Sequence, residues 1–484
     1  MERYRMSRRD FLRIVGVGSA SMAKVACVPA QQGAAPAASG GEAAAPAKAG
    51  VVLRVQGNPE NEAPLQGPFK DKNPGIDMEF IAVTGIDHEE VASKILSMIA
   101  AGESIDFGYS ATEALQLYAG QGLATPLDDL IQRDSAELQD FFSDVHPSLV
   151  QAMMYEGSLY ELPFDFNAAN MYYNTKLFEE NGIEAPPAEW TKDDFLNVAR
   201  AITKKDANGQ TTVFGYGWTN RLWGSWMPWI FVNGGNLFNQ EEAPGGEWLW
   251  GSFYKDDAAA QGRGGGYRWI TPTANSKPVV EALELVVSMT QEGTAPAIEL
   301  GGGATLQGFF ADNKLGMTPA GGFWAGGLAN AGFEKGSFDV QLFPKWVNQR
   351  HQFGTGGQWI SAQSEHKEEA WTYSKFRVSK EGMGLWYGAN GIVTTPSRRS
   401  MLVDAAFENT GPAHWQVFYD TLDKHPDTAP IPAPPISNPM TTLFTTYTGK
   451  AMTGELAPQQ AMDELQKELE DLVARSQDIM YPAK

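Results

Sequence analysis

Tryptophan is concentrated in the middle of this 484-residue chain. Trp218, Trp223, Trp226 and Trp229 lie within twelve residues. An indole can pack against the C–H face of a sugar ring, whose hydroxyl groups then need polar side chains around them. Trp218 and Trp223 flank the polar residues 219–221, which favours a place in a cleft. Trp229 precedes an apolar run and is predicted to lie in a core.

Two further segments place aromatic and polar residues directly after glycines. The predicted strand "LGMTPA" ends in a glycine pair that includes Gly322, where the backbone could approach a ligand closely, and Phe323 and Trp324 follow. The segment "GTGGQWISA" repeats the arrangement with Gln358 and Trp359. Both segments are therefore predicted binding platforms.

The elements that must position these residues alternate between strand and helix. Apolar runs at 51–55 and 78–83 are typical of strands, an amphipathic helix follows, and "IDFGYS" is a third predicted strand. This order predicts a parallel sheet covered by helices, and ligands bind beyond the carboxyl ends of such strands. Tyr109, Ser110 and Thr112 fall at one of these ends.

Charge and motif content exclude several function classes. The formal net charge of −21 makes nucleic acid an improbable partner. The sequence has no HExxH, GxSxG or Walker lysine motif, and its six histidines are scattered, so we predict no metal site. No stretch beyond the amino terminus approaches the ~20 apolar residues that a membrane span needs. A secreted carbohydrate-active enzyme stays open, because its two carboxylates would show no sequence motif.

The amino terminus has the features of an export signal. Arg8 and Arg9 precede Asp10, Phe11 and a mildly apolar run, which resembles a twin-arginine signal. Cys27, the single cysteine, stands where a bacterial lipoprotein is cut and lipidated, although Lys24 replaces the usual apolar residue. Residues 28–49 are rich in small residues and are predicted to form a flexible linker. We expect a protein held outside the cytoplasm by a lipid on Cys27; cleavage without lipidation is the alternative.

Six segments in a fixed order carry a family resemblance: "FKDKNPGIDMEF", "LYAGQGLATPLDDLI", "GSLYELPFDFNAANMYYNTKLFEENGIEAPPAEWTKDDFLNVARAIT", "FVNGGNLFN", "KLGMTPAGGFWAGGL" and "YTGKAMTGELAPQQAMDEL". Together they resemble the extracellular solute-binding proteins of ABC importers, family 1, which bind sugars and oligosaccharides. The similarity extends from about residue 51 to 480. The long segment 241–276, with seven glycines, departs from the family pattern and is predicted to be an elaborated loop or hairpin on the second lobe.

The resemblance implies an α/β fold of two lobes, the type II periplasmic-binding-protein fold. Each lobe should hold a mostly parallel sheet flanked by helices, and two or three chain crossings should form a hinge. The implied boundaries give residues 1–27 to the signal, 28–49 to the linker, 50–161 plus 345–395 to lobe 1, and 162–344 plus 396–484 to lobe 2. Such crossings let ligand contacts on both walls favour a closed form.

The resemblance also implies site residues and partners. A tryptophan at the position of Trp324 commonly stacks on sugar in the family, and Arg398 and Phe444 are further candidates by family position. Asp165 falls at the first crossing, where a carboxylate could accept two hydroxyl hydrogen bonds of ~1.5–3 kcal/mol each; a turn or an ion pair between lobes is the alternative role. A carbohydrate ligand and the membrane subunits of an ABC permease are the implied partners of a monomer without cofactor or catalysis. A non-sugar solute on the same fold stays open.

Overall fold

The computed structural model describes residues 50–85, 88–298, 303–333, 336–391, 394–403 and 411–481. The predicted signal, the lipidation site at Cys27 and the linker lie outside the described residues. Two lobes, each built on a mixed sheet with helices, make up the described chain. The two-lobe α/β fold is confirmed.

The first lobe is built on a seven-stranded sheet. Its strands are β1 (Val51–Gln56), β2 (Ile76–Ile81), β3 (Phe107–Ala111), β6 (Leu162–Ala168), β14 (Gln352–Ile360), β15 (Thr395–Pro396) and β16 (Ala429–Pro430). Their order is β15–β6–β14–β3–β1–β2, and β16 pairs with β14. A separate short hairpin of β4 (Met154–Tyr155) and β5 (Ser158–Leu159) precedes β6. β1 is parallel to β2 and β3, whereas β14 is antiparallel to β3 and β6. β2 begins earlier than predicted because Ile76 N donates to Asn73 O at 2.9 Å, which closes the turn just before it.

The second lobe is built on a five-stranded sheet with the order β13–β7–β12–β9–β8. Its strands are β7 (Asn170–Asn174), β8 (Lys204–Lys205), β9 (Thr211–Tyr216), β12 (Leu315–Ala320) and β13 (Phe338–Gln341). Only β9 and β12 are parallel; the other described pairs are antiparallel. The sheets of both lobes are therefore mixed, which differs from the mostly parallel sheets that we predicted.

Helices cover the first sheet. They are α1 (Pro59–Lys72), α2 (His88–Ala100), α3 (Thr112–Gly120), α4 (Asp128–Arg133), α5 (Ser135–Phe142), α6 (Pro147–Ala152), α14 (Lys367–Val378) and α15 (Lys380–Asn390). α1 begins where the Asn58 side chain accepts a hydrogen bond from Glu60 N at 3.0 Å, with Pro59 at its first position. α2 matches the predicted helix and is followed by Gly102, whose φ is +87°.

The helices of the second lobe are α7 (Thr175–Glu180), α8 (Lys192–Ile202), α9 (Met227–Val232), α11 (Lys277–Glu292), α12 (Gly303–Ala311), α13 (Phe323–Asn330), α17 (Ser437–Met452) and α18 (Pro458–Arg475). The predicted cap at Thr191 is confirmed: Thr191 Oγ1 accepts from Asp194 N at 3.2 Å, and Asp194 Oδ2 accepts from Thr191 N at 2.8 Å. None of the helices in the described ranges has both the length and the apolar character of a membrane span.

Strand pairing sets where the chain passes between lobes. β6 pairs with β14 in the first sheet, so the first passage falls at Ala169, later than the predicted boundary at residue 162. The chain returns between β13 and β14, over residues 342–351. α16 (Val417–Asp423) lies between the lobes, with Tyr419 against Phe166 of the first lobe, and β16 then leads towards α17.

The predicted hairpin in the segment 241–276 is present. β10 (Phe238–Glu242) and β11 (Tyr267–Pro272) pair antiparallel, and α10 (Glu247–Phe253) lies between them. The hairpin does not belong to the second lobe alone, as we expected. Gly157 N of the first lobe donates to Gly265 O at 2.9 Å, while the Gln466 side chain on α18 donates to Pro272 O at 2.9 Å. The hairpin therefore spans both lobes.

Candidate functional site

Two adjoining cavities lie at the carboxyl ends of β1 and β3. The inner chamber has a volume of about 230 Å³, and first-lobe residues line it, including Gln56, Phe107 and Phe164. The outer cleft is about 50 Å³ and is lined from both lobes. Tyr109 and Asp165 line both cavities, so they mark the boundary between them. This position agrees with the general rule for ligand sites on open sheets.

Asp165 is buried at this boundary. The Tyr109 hydroxyl donates to both carboxylate oxygens at 3.2 and 3.3 Å, and Gly356 N donates to Oδ1 at 3.1 Å. Burial raises the pKa of Asp165 to about 7, although the hydrogen bonds from Tyr109 and Gly356 act in the opposite direction. A carboxyl group in this state can accept from, or donate to, a ligand hydroxyl near neutral pH.

A second buried acid stands behind the first-lobe wall. Glu161 accepts a short hydrogen bond from the Ser110 hydroxyl, and burial raises the pKa of Glu161 to about 8. Successive side chains of a strand point to opposite faces, so Tyr109 lines the cavities while Ser110 points away from them. Ser110, predicted as a ligand contact, instead binds Glu161.

The base of the inner chamber carries a satisfied ion pair. Arg377 and Glu62 form a buried salt bridge, and Trp386 Nε1 donates to Glu62 at 3.3 Å. The Arg377 guanidinium also lies over the Phe164 ring, 4.4 Å from its centroid. Because these charges already have partners, the chamber presents mainly uncharged groups to a ligand.

Gln358 of β14 lines the inner chamber and is 1% exposed. Neither its amide oxygen nor its amide nitrogen has a hydrogen-bond partner within the described ranges. Buried polar groups are nearly always paired in folded proteins. An unpaired amide at a cavity wall is therefore an indication of a ligand position.

The outer cleft brings aromatic rings of the second lobe opposite the first lobe. Trp223 and Phe323 lie 5.8 Å apart between ring centroids, and the Arg221 guanidinium lies 5.6 Å from the Trp223 ring. Glu113 and His88 of the first lobe line the same cleft. The arrangement of stacking surfaces and hydrogen-bonding groups suits a polyhydroxylated molecule.

The match to a protein-family model identifies the chain. Residues 67–414 match the model of the bacterial extracellular solute-binding proteins. The chain belongs to this family. The resemblance drawn from the six sequence segments is confirmed.

Curated relatives of this solute-binding protein are themselves binding proteins by name. One from Brucella abortus (strain 2308) is 27% identical over 319 residues, which cover 65% of this chain and 67% of the relative. A relative from Brucella suis biovar 1 (strain 1330) matches to the same extent.

Solved structures of solute-binding proteins share the two-lobe fold. An ABC substrate-binding protein of Listeria monocytogenes, solved with cycloalternan, has a TM-score of 0.70 at 20% identity, covering 88% of this chain and 98% of its own. A protein of Agrobacterium radiobacter K84, solved with ribitol, has a TM-score of 0.68 at 21% identity, covering 88% and 99%. The maltose-bound MalE3 of T. maritima has a TM-score of 0.67 at 17% identity, covering 87% and 100%.

Three tryptophans that we predicted as platforms in this solute-binding protein lie in the interiors of the lobes. Trp218 is 1% exposed and its Nε1 donates to Pro296 O at 2.9 Å. Trp324 is 5% exposed and meets Tyr172 edge-on. Trp359 is fully buried 5.1 Å from Tyr118, because it points to the opposite face of β14 from Gln358.

The two candidates assigned by family position also lie away from the cavities. Arg398 is 2% exposed and forms ion pairs with Asp140 and Asp144 on the outer side of the first lobe. Phe444 is 1% exposed and packs edge-on against Trp226 in the second lobe. Both residues stabilise the protein interior, which explains their types without a ligand.

Gly322 and Thr112 lie beside the outer cleft in supporting positions. A Cβ atom on Gly322 would lie 2.2 Å from the Thr395 hydroxyl, so the glycine allows a close approach between lobes rather than to a ligand. The Thr112 hydroxyl donates to Glu113 at 3.0 Å and thereby orients that carboxylate. Sequence patterns did not indicate Glu113, Glu62 or Arg377, and Arg221 entered only as one of the polar residues beside Trp223.

Proposed function

We propose that the protein captures an uncharged sugar or alditol between its lobes and delivers it to the permease of an ABC importer. The observation that carries this proposal is the convergence of aromatic rings and hydrogen-bonding groups from both lobes around Asp165. Sugars require this combination of a flat apolar surface and directional partners.

In this proposal each lobe has its own part in binding. Tyr109, Asp165 and Gln358 of the first lobe hold the hydroxyl groups, and Trp223 and Phe323 approach from the second lobe. Contacts on both walls favour the closed form, which shifts an equilibrium between open and closed forms. The permease then recognises the closed, loaded monomer.

The named relatives and neighbours support binding without catalysis. Structural neighbours that were solved with tagatose, mannitol and maltotriose are named as solute-binding or maltodextrin-binding proteins. We infer that this protein likewise makes and breaks no bond. Incubation with maltotriose, followed by chromatography of the recovered sugar, should return maltotriose unchanged; shorter products would establish a hydrolase.

The proposed location is the outer face of the cell membrane. Arg8–Arg9 support export by the twin-arginine route, Cys27 supports lipidation, and residues 28–49 would act as a tether. Mass spectrometry of the native protein should find acyl chains on an amino-terminal Cys27. A mature protein that begins downstream of Cys27 would contradict the anchor without affecting the ligand site.

A thermal-shift screen tests the function. The panel should contain monosaccharides, alditols and oligosaccharides, with a dipeptide and a sugar phosphate for the non-sugar alternative. A ligand at 100 times its Kd adds ~2.7 kcal/mol to the free energy of unfolding, which raises Tm by several degrees. Stabilisation by sugars or alditols supports the proposal, whereas stabilisation only by the dipeptide or phosphate contradicts it. Delivery is tested by sugar uptake in cells with and without the protein.

A further inference from the structure

The inner chamber is lined by the first lobe alone, whereas both lobes line the outer cleft. Its walls come from β1, β3, β6, β14 and the helices α1, α14 and α15, all of the first lobe. The second lobe reaches only the outer cleft, through Arg221, Trp223 and Phe323. A molecule in the inner chamber would therefore contact the first lobe before the lobes close.

Unpaired polar groups point to a hydroxylated occupant. Gln358 offers one donor group and one acceptor, and both lack partners among the described residues. A hydroxyl group both donates and accepts, so a polyol or sugar can pair with the amide nitrogen and the amide oxygen of Gln358.

The charges around the chamber favour an uncharged occupant. Glu62 is already paired with Arg377 and accepts from Trp386 and Tyr373. A charged ligand would have to be desolvated without a free partner of opposite sign, which is costly in a buried site. Asp165 is the remaining acid at the wall, and Tyr109 already donates to it.

The volume limits the size of the occupant. The volume of about 230 Å³ lies below the ~300–1,000 Å³ that is typical of pockets for drug-sized ligands. That space suits one sugar ring or one short alditol. Tyr109 and Asp165 lie between the chamber and the outer cleft, whose volume is only about 50 Å³.

We propose that the inner chamber is a binding site for a single uncharged sugar or alditol unit, and that Gln358 determines its specificity. The inference rests on the proposed function and makes it narrower, because it selects monosaccharides and alditols over oligosaccharides. In this proposal the ligand binds to the first lobe before the lobes close.

Calorimetric titration with matched variants tests this site. The probes are ribitol, mannitol, tagatose and glucose against maltose and maltotriose. The wild-type protein should bind at least one single-unit probe at least as tightly as it binds maltotriose. Gln358→Leu should weaken that binding by about 30-fold or more, and Gln363→Leu, at an exposed position after β14, should leave it unchanged.

A second variant keeps the test independent of Gln358. Val83 is half-buried at the chamber wall and packs at the edge of a core cluster. Val83→Phe is expected to fill part of the chamber and should likewise weaken binding by about 30-fold or more. Unchanged sugar affinity in both folded variants would show that the inner chamber is not the binding site, while leaving the proposed function intact. If maltotriose binds more than tenfold tighter than every single-unit probe, the proposed preference for a single sugar or alditol unit is wrong. No binding of any sugar or alditol would overturn the proposed function itself.

Discussion

The Tyr109 hydroxyl lies 3.2 Å from Asp165 Oδ1 and joins two strands that are not neighbours in the first sheet. β14 runs between them, and at Gly356 it has no side chain to separate the two groups. A Cβ atom there would lie 2.0 Å from the Tyr109 hydroxyl. The contact that divides the inner chamber from the outer cleft therefore depends on a glycine in the strand between its partners.

Gly356→Ala should disrupt this contact. The methyl group has to displace the Tyr109 ring, which we expect to cost about 1–3 kcal/mol of unfolding free energy and to weaken ligand binding at least tenfold. Gly384→Ala is the matched control, because its Cβ meets nothing within 4 Å among the described residues and lies in α15. Alanine there should stabilise by about 0.5–1 kcal/mol. Urea unfolding measures the unfolding free energy of both variants. Equal stability of the two would show that the contact between Tyr109 and Asp165 does not depend on Gly356.

The raised pKa of Asp165 predicts a pH-dependent stability difference. Burial raises the folded pKa of Asp165 to about 7, above the ordinary value of 3.8, while Tyr109 and Arg377 lower it. Glu161 also interacts with Asp165 electrostatically. The contribution of Asp165 to the free energy of unfolding is therefore fully present below about pH 4 and is lost as the pH rises through about 7. Asp165→Asn should therefore raise Tm relative to wild type more at pH 8 than at pH 5. A difference that does not change with pH would show that Asp165 has an ordinary pKa.

The hairpin of β10 and β11 is joined to the first lobe by a largely buried ion pair. Arg268 and Glu156 have side chains only 5% and 14% exposed. Arg268→Met leaves the Glu156 charge without its partner, so we expect a loss of about 3–5 kcal/mol in unfolding free energy. Arg200→Met, which breaks the exposed pair with Glu292, should cost less than about 1 kcal/mol. If urea titrations give similar losses of unfolding free energy for Arg268→Met and Arg200→Met, the pair of Arg268 and Glu156 does not hold the hairpin to the first lobe.

Substitution of Trp359 tests whether its indole packs in the core or contacts the ligand. Trp359→Ala should cost about 3–5 kcal/mol of stability because the indole fills the interior next to Tyr118. The Kd for a bound sugar should change less than threefold in the folded fraction. A large loss of affinity with unchanged stability would restore Trp359 as a binding platform.

The sequence predicted the fold better than it predicted the site. Local signals, such as the Thr191 cap and the helix that ends before Gly102, reflect contacts within a few residues, and the structure contains them. Successive side chains of a regular strand point to opposite faces of the sheet, however, and this separates Gln358 from Trp359. An alternation argument along "GTGGQWISA" could have found that difference.

Other parts of the site depend on contacts between distant residues. Glu62 and Arg377 are 315 positions apart, and neither lies in a motif. The tryptophans fill the interiors because burying a large ring stabilises more than exposing it does, whatever polar residues stand beside it. Composition thus indicated an aromatic site, but only the tertiary structure separates Trp223 in the cleft from Trp218 in the core.

A crystal structure with the tightest-binding sugar or alditol would locate the ligand relative to Asp165. We predict one sugar unit in the inner chamber, hydrogen-bonded to Gln358 and Asp165, with Trp223 and Phe323 closing the outer side. A sugar bound outside the cavities, or a ligand held by the second lobe without contact to Asp165, would contradict it.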